Sequence, residues 1–143
     1  MTNVSGRPSK RWLLVHTLAI QFSLGHTILD WHLGLIGPSS ATLSADQALI
    51  LVLGATLYAL WACTLALAIQ GSRAAMLATL VLCAVVGLGT GLTIVFCPPP
   101  CSAGAPPFGD ITHLGSLVFG AWGVYESWRA FKRMQTAHAR LRA

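Results

Sequence analysis

Imidazole and carboxylate side chains recur at helical spacing in two separate parts of the sequence. His26 and Asp30 are four residues apart, and Asp110 and His113 are three residues apart. On an α-helix, both spacings place the two side chains on one face. Imidazole and carboxylate groups together bind zinc, copper, nickel or iron. These four residues therefore predict a metal or haem site, to which His32 would be an additional ligand.

The predicted site has two alternative occupants. A transition metal such as zinc or copper would take the imidazole nitrogens, and an aspartate one turn away would accept the second N–H of a ligating histidine. Alternatively, His26 and His113 would be the axial ligands of a haem b held between two helices. A proton or substrate pathway is a third use of ionisable groups inside a membrane. The spacing matches none of the specific metal signatures, such as H-E-x-x-H.

Purely structural roles account for the same residues. Asp46 and Asp110 each lie at the start of an apolar run, where aspartate caps a helix and interacts favourably with its dipole. Ser44 is the alternative cap of the run that follows Asp46. His113 would then hydrogen-bond a neighbouring helix or a lipid headgroup. His16 has no partner in the sequence pattern, which predicts a position at the membrane interface.

The elements that must position these residues follow from composition. The 143-residue chain is 55% hydrophobic and only 9% charged, with a mean hydropathy of +0.67. Ordinary soluble domains carry about 25% charged residues. A soluble enzyme, a disordered chain and a disulfide-stapled miniprotein are excluded, so we predict a membrane protein.

Four stretches are long enough to cross a bilayer, which requires about 20 mostly apolar residues per helix. They cover residues 12–33, 47–70, 74–96 and 111–128, approximately. The second and third are apolar on every face, unlike the helices of a soluble amphipathic bundle. The predicted fold is an all-α integral membrane protein with four transmembrane helices in an up-down-up-down bundle. Such a bundle places its first and last helices side by side, so the histidines and aspartates above would converge.

Basic residues predict the orientation. All of them fall on one side of the four-span arrangement: in a segment 1–11, in the loop between spans two and three, and in a tail 129–143. The predicted transmembrane domain covers residues 12–128. The basic residues are Arg7, Lys10, Arg11, Arg73, Arg129, Lys132, Arg133, Arg140 and Arg142. By the positive-inside rule, both termini are cytoplasmic and the His/Asp cluster lies at the exoplasmic rim of an inner (plasma) membrane. No nucleic-acid recognition motif accompanies the net charge of +5, so nucleic acid is not an expected partner.

Small residues at steps of four predict close helix packing, because helix association in lipid depends on the approach of backbones. The third span carries Gly87 and Gly91, and the fourth carries Ser116 and Gly120. A further row in the second span combines Gly54, Tyr58, Ala62 and Ala66. These rows would pack within the chain or between copies in a homo-oligomer.

Cys97 and Cys101 enclose three prolines in the second exoplasmic loop. An oxidising compartment permits a disulfide. However, a polyproline II run advances about 3.1 Å per residue, so the bridge requires a cis X–Pro bond or a sharp turn. Two thiols available as soft ligands and two unlinked cysteines are the alternatives. Cys63 and Cys83 are predicted to be small packing residues within the membrane.

The sequence contains no G-x-S-x-G element, P-loop or zinc-finger pattern. We therefore expect an accessory or interaction protein that packs in the bilayer with itself or with a larger complex. The alternative is a metal-binding or haem-b-binding membrane protein that uses the His/Asp cluster. A transporter is the weakest hypothesis, because no broken inverted repeat is visible.

Overall fold

The computed structural model describes residues 8–32, 44–96 and 108–140, which form four helices. Helix α1 is Lys10–His32 and helix α2 is Ala45–Ile69. Helix α3 comprises Arg73–Leu82, a π-helical segment Cys83–Leu88, and Gly89–Phe96. Helix α4 is Phe108–Arg140. The described residues contain no strand, which confirms the predicted all-α class.

Three helices are long and apolar enough to cross a membrane. They are α1 over Lys10–Leu29, α2 over Ala45–Ile69, and α3 over Arg73–Leu92. This result confirms the prediction of a helical membrane protein. Helix α4 is not among the three. The physical reason is that its face toward the other helices carries buried polar side chains, including His113, Ser116 and Glu126.

The ends of α2 follow local sequence signals. Ser44 caps the helix, because its hydroxyl accepts the Gln47 N–H at 3.2 Å while the Gln47 side chain accepts the Ser44 N–H at 3.1 Å. Asp46 lies in the first turn, where a negative charge is favoured by the helix dipole. After α2, Gly71 adopts a left-handed φ of 94°, and Ser72 caps α3. Glycine adopts this backbone conformation without steric cost.

Helix α4 lies against both α1 and α3, and it is antiparallel to each. Trp12, near the start of α1, contacts Ser127, whereas His26, near its end, contacts Thr112. On the other side, the Cys83 thiol donates to the Gly120 carbonyl. Helix α2 packs mainly on α3 and makes fewer contacts with α1.

The contact of α3 with α4 depends on glycine. A Cβ on Gly120 would lie 2.6 Å from the backbone nitrogen of Leu88, and one on Gly91 would overlap the backbone of Leu117. Gly87 lies against Gly120 and the Trp61 ring. Ser116 instead faces α1. The two residues of the predicted pair therefore contact different helices, Ser116 on α1 and Gly120 on α3.

Helix α4 does not end with the predicted span near residue 128. It continues to Arg140, so residues 129–140 of the basic segment are helical. Arg73, at the start of α3, donates to the Met134 carbonyl at 3.0 Å. This bond joins the loop between α2 and α3 to the extension of α4.

Gly120→Ala tests the close approach of α3 and α4. We expect a loss of about 1–3 kcal/mol in the free energy of unfolding in detergent micelles, because the added Cβ meets backbone atoms of α3. Gly54→Ala is the matched control, since a Cβ there meets nothing within 4 Å. It should leave stability unchanged or raise it by up to about 1 kcal/mol. Equal effects of the two substitutions would contradict this account.

Candidate functional site

Buried polar side chains mark the interior where α1 meets α4. In the described part of the chain they are His16, Ser23, His26, Thr79, His113, Ser116, Glu126 and Ser127. All of these except Thr79 belong to α1 or α4. Ionisable and polar groups are costly inside a membrane, and by default they indicate a functional site.

The structure brings together His26 of α1 and His113 of α4. Their ring centroids are 3.6 Å apart, and the ring planes are tilted by 51°. The two residues are only 5% and 1% exposed. The two histidines predicted as ligands are therefore direct neighbours in the folded chain, although 87 positions separate them in the sequence.

Hydrogen bonds orient both rings. His113 Nδ1 lies 3.3 Å from the Thr90 carbonyl oxygen in α3. A carbonyl only accepts, so this nitrogen carries the proton and Nε2 of a neutral ring carries the lone pair. His26 Nδ1 lies 3.2 Å from Thr112 Oγ1 in α4. Three helices thus fix the position of the histidine pair.

Among the remaining predicted members of the cluster, Asp110 is the one whose side chain belongs to the described part of the structure. Asp110 is exposed in the first turn of α4. The side chains of Asp30 and His32 lie outside the described part of the structure, as do Cys97 and Cys101. Within the described residues, no group of three or more His, Cys, Asp or Glu side chains is arranged to hold a metal ion.

The contact between the histidine rings bears on the haem hypothesis. Axial histidines bind a haem iron from opposite sides of the porphyrin. Rings with centroids 3.6 Å apart leave no space for a porphyrin between them. The arrangement of His26 and His113 does not fit a haem b ligated by both residues.

A hydroxyl network adjoins the histidine pair, and the sequence did not reveal it. The Tyr58 hydroxyl lies 3.0 Å from Thr27 Oγ1 and close to the side chains of Ser23 and Thr90. Tyr58 was predicted to belong to a packing row on α2, but it turns toward α1 and α3. A tyrosine in an apolar helix carries no local signal for these partners, which come from other helices.

His16 forms a second polar centre, with a partner on another helix that the sequence pattern did not reveal. The residue is fully buried, and its Nε2 lies 2.7 Å from Ser127 Oγ. Trp12 Nε1 donates to the same oxygen at 2.8 Å. Ser127 therefore joins the aromatic start of α1 to α4.

Polar atoms without a hydrogen-bond partner among the described residues lie around His16. They are His16 Nδ1 and Trp61 Nε1, which belong to rings with centroids 6.1 Å apart. Nearby, a Cβ on Gly123 would lie 2.5 Å from Cys83 Sγ and 3.5 Å from His16 Nδ1. The centre also adjoins the π-helical segment of α3, which begins at Cys83.

Glu126 is the buried acid at the opposite end of the α1–α4 contact from the histidine pair. Its carboxylate lies 3.2 Å from Arg11 Nε and 3.8 Å from an Arg129 nitrogen. It also accepts a hydrogen bond from Trp122 Nε1 at 3.3 Å. Arg129 is its neighbour at i+3 on one helix, whereas Arg11 arrives only through the packing of α1 on α4.

Helix α2 is the most exposed of the four helices. Only 11% of its most apolar stretch is buried, against 33% in α1 and in α3. Ala55, Ala59, Ala62 and Ala66 are all exposed, and their steps of four, three and four place them on one helix face. We refer to these four residues as the alanine row. A half-open apolar cavity of about 220 Å³ lies beside it, between α1 and α2.

Comparison of the chain with protein-family models, curated proteins and solved structures finds no match. The function is therefore inferred from the chemistry and surfaces of this structure.

Ser127→Ala tests the polar centre around His16. We expect a loss of about 1–3 kcal/mol in the free energy of unfolding, because Trp12 and His16 both lose a buried partner. Ser116→Ala is the matched control: its bond to Ser23 is 3.4 Å long, beyond the usual range for O–H···O bonds. Unfolding in detergent followed by tryptophan fluorescence should show a clearly smaller effect for Ser116→Ala. The reverse order would contradict the geometry described here.

Proposed function

We propose that the protein is a four-span inner-membrane protein with both termini in the cytoplasm. The three apolar helices support this topology, as do the antiparallel contacts of α4 with α1 and α3. Helix α4 would be the fourth span, with its polar side chains directed into the bundle rather than toward lipid. The distribution of all Lys and Arg residues supports the cytoplasmic placement of both ends.

Its proposed role is that of an accessory protein that associates laterally, with a second copy or with a larger membrane complex. The observation that carries this proposal is the exposed alanine row on α2. The glycines of α3 and α4 are occupied by contacts within the chain. The alanine row presents a comparable small-residue surface with no partner helix among the described residues.

Association through this row has a physical basis in lipid. Apolar side chains gain little from leaving hydrocarbon, so helices associate through van der Waals packing at small residues. Four alanines on one face allow a second helix to approach the α2 backbone closely. The low burial of α2 leaves this face available along most of the helix.

The proposed topology predicts the behaviour of reporter fusions. Alkaline phosphatase is active only after export, so fusions after residue 72 and at the C-terminus should be inactive. Fusions within residues 34–43 and 98–107 should be active. Cytoplasmic reporter fusions at the same four positions should give the complementary pattern. An active phosphatase at the C-terminus would exclude a fourth span that returns the chain to the cytoplasm.

Ala59→Leu and Ala62→Leu test the proposed association. Blue native electrophoresis of mildly solubilised membranes should show the wild type in an assembly larger than the monomer. Both variants should shift most of the protein to the monomer, because leucine prevents close backbone approach. Ala121→Leu is the matched control, as Ala121 is exposed on α4.

Crosslinking identifies the partner. Cys63 is exposed beside the alanine row, so a short thiol crosslinker should join two copies if the partner is the same chain. Cys97→Ser and Cys101→Ser in the background leave the buried Cys83 as the only other thiol. A wild type that is monomeric in native membranes, with no effect of the leucine substitutions, would overturn the accessory role.

A further inference from the structure

We propose that the cytoplasmic end of the bundle binds the headgroups of anionic phospholipids through five cationic side chains. They are Lys10, Arg11, Arg129, Lys132 and Arg133, and we refer to them as the basic patch. The proposal rests on the proposed topology, which places this end at the cytoplasmic surface of the membrane. It does not involve the alanine row, so lipid binding and lateral association can fail separately.

The packing of α1 on α4 brings the basic patch together. Arg129, Lys132 and Arg133 occupy positions i, i+3 and i+4 of α4, and this spacing places them on one side of the helix. Arg11 joins them from α1, because it shares a carboxylate oxygen of Glu126 with Arg129, at 3.2 and 3.8 Å. Lys10 precedes Arg11 in the first turn of α1. The fold therefore collects cations from both ends of the sequence on one surface.

Most of the charge of the basic patch is uncompensated. The carboxylate of Glu126 is buried and is shared between Arg11 and Arg129. The other acidic side chains that the structure describes are Asp46 and Asp110, in the first turns of α2 and α4, at the opposite end of the bundle. Four of the five positive charges thus have no acidic counterpart among the described residues, which favours an anionic ligand.

Aromatic rings indicate the depth of the basic patch in the bilayer. Arg11 lies 4.9 Å from the centroid of the Trp122 ring, and Lys132 lies 5.0 Å from that of Trp128. Tyr125 and Trp128 are about half exposed. Tryptophan and tyrosine are enriched at the boundary between hydrocarbon and headgroups, and long cationic side chains extend from there toward the polar phase. The basic patch therefore lies at headgroup level.

The chemistry of the basic patch selects the class of lipid. A guanidinium presents a planar fork of N–H donors that matches the oxygens of a phosphate. Clusters of four to eight Lys and Arg residues beside a transmembrane helix attract anionic lipids. Phosphatidylglycerol carries a net negative charge, whereas the choline cation of phosphatidylcholine cancels the charge of its phosphate. The patch is therefore expected to distinguish these two headgroups.

Native mass spectrometry of the full chain in neutral detergent tests this preference. Phosphatidylglycerol and phosphatidylcholine with identical acyl chains are titrated separately, and the affinity for the first bound lipid is measured. We expect the wild type to bind phosphatidylglycerol about 10-fold more tightly. Lys132→Gln combined with Arg133→Gln should remove most of this difference. Both side chains are exposed, so circular dichroism should show an unchanged fold.

Arg140→Gln combined with Arg142→Gln is the matched control. This variant loses the same two charges, at positions seven and nine residues beyond Arg133. It should keep most of the preference for phosphatidylglycerol, because the basic patch is intact. An equal loss in the two double variants would mean that net charge, and not the patch, attracts the lipid.

Two further results would overturn the proposal. The first is a wild type that binds both lipids with equal affinity. The second is full displacement of phosphatidylglycerol by an excess of inorganic phosphate, which would indicate a site for free anions. If the reporter fusions keep their predicted pattern in either case, headgroup binding fails and the proposed topology stands. An active phosphatase at the C-terminus would instead contradict the topology itself.

Discussion

The architecture depends on the contact of α4 with α1, where polar side chains of one helix find their partners on the other. Trp12, His16 and Ser127 join the helices at one level, and His26 joins Thr112 and His113 at another. In lipid, a buried polar group has no water to bond, so each such pair favours one registry of the helices. A shift of one turn would leave several buried polar groups without partners.

Helix α3 is held on the other side of α4 by a different means. There the backbones approach at Gly87, Gly91 and Gly120, where an added Cβ would meet main-chain or ring atoms. Small residues supply van der Waals contact in lipid where the hydrophobic effect supplies little. Hydrogen bonds thus give specificity to the face of α4 that meets α1, and glycines allow close packing on the face that meets α3. Helix α2 has fewer contacts of either kind, so its alanine row stays exposed.

The sequence predicted the elements well because their signals are local. Hydropathy located four helices, and α1 and α2 match their predicted spans to within about two residues. Ser44 was recognisable as a cap from the residues that follow it. The extension of α4 beyond residue 128 was missed, because hydropathy reports where a helix leaves an apolar environment and not where it ends. The pairing of His26 with His113 followed from the order of the helices, whereas their ring contact did not.

By itself, the sequence determined the membrane class, the number of long apolar stretches and the segregation of basic residues, since each depends on the composition of a continuous segment. Only the tertiary structure decided which polar residues meet. It buried His16 against Ser127, turned Tyr58 inward, and separated Ser116 from Gly120 onto different contacts. It also showed that the small residues exposed on α2 are those of the alanine row, and not the predicted face that contains Gly54 and Tyr58. The reason is geometric: such partners lie on different helices, and their meeting depends on the rotation and registry of each helix in the packed protein.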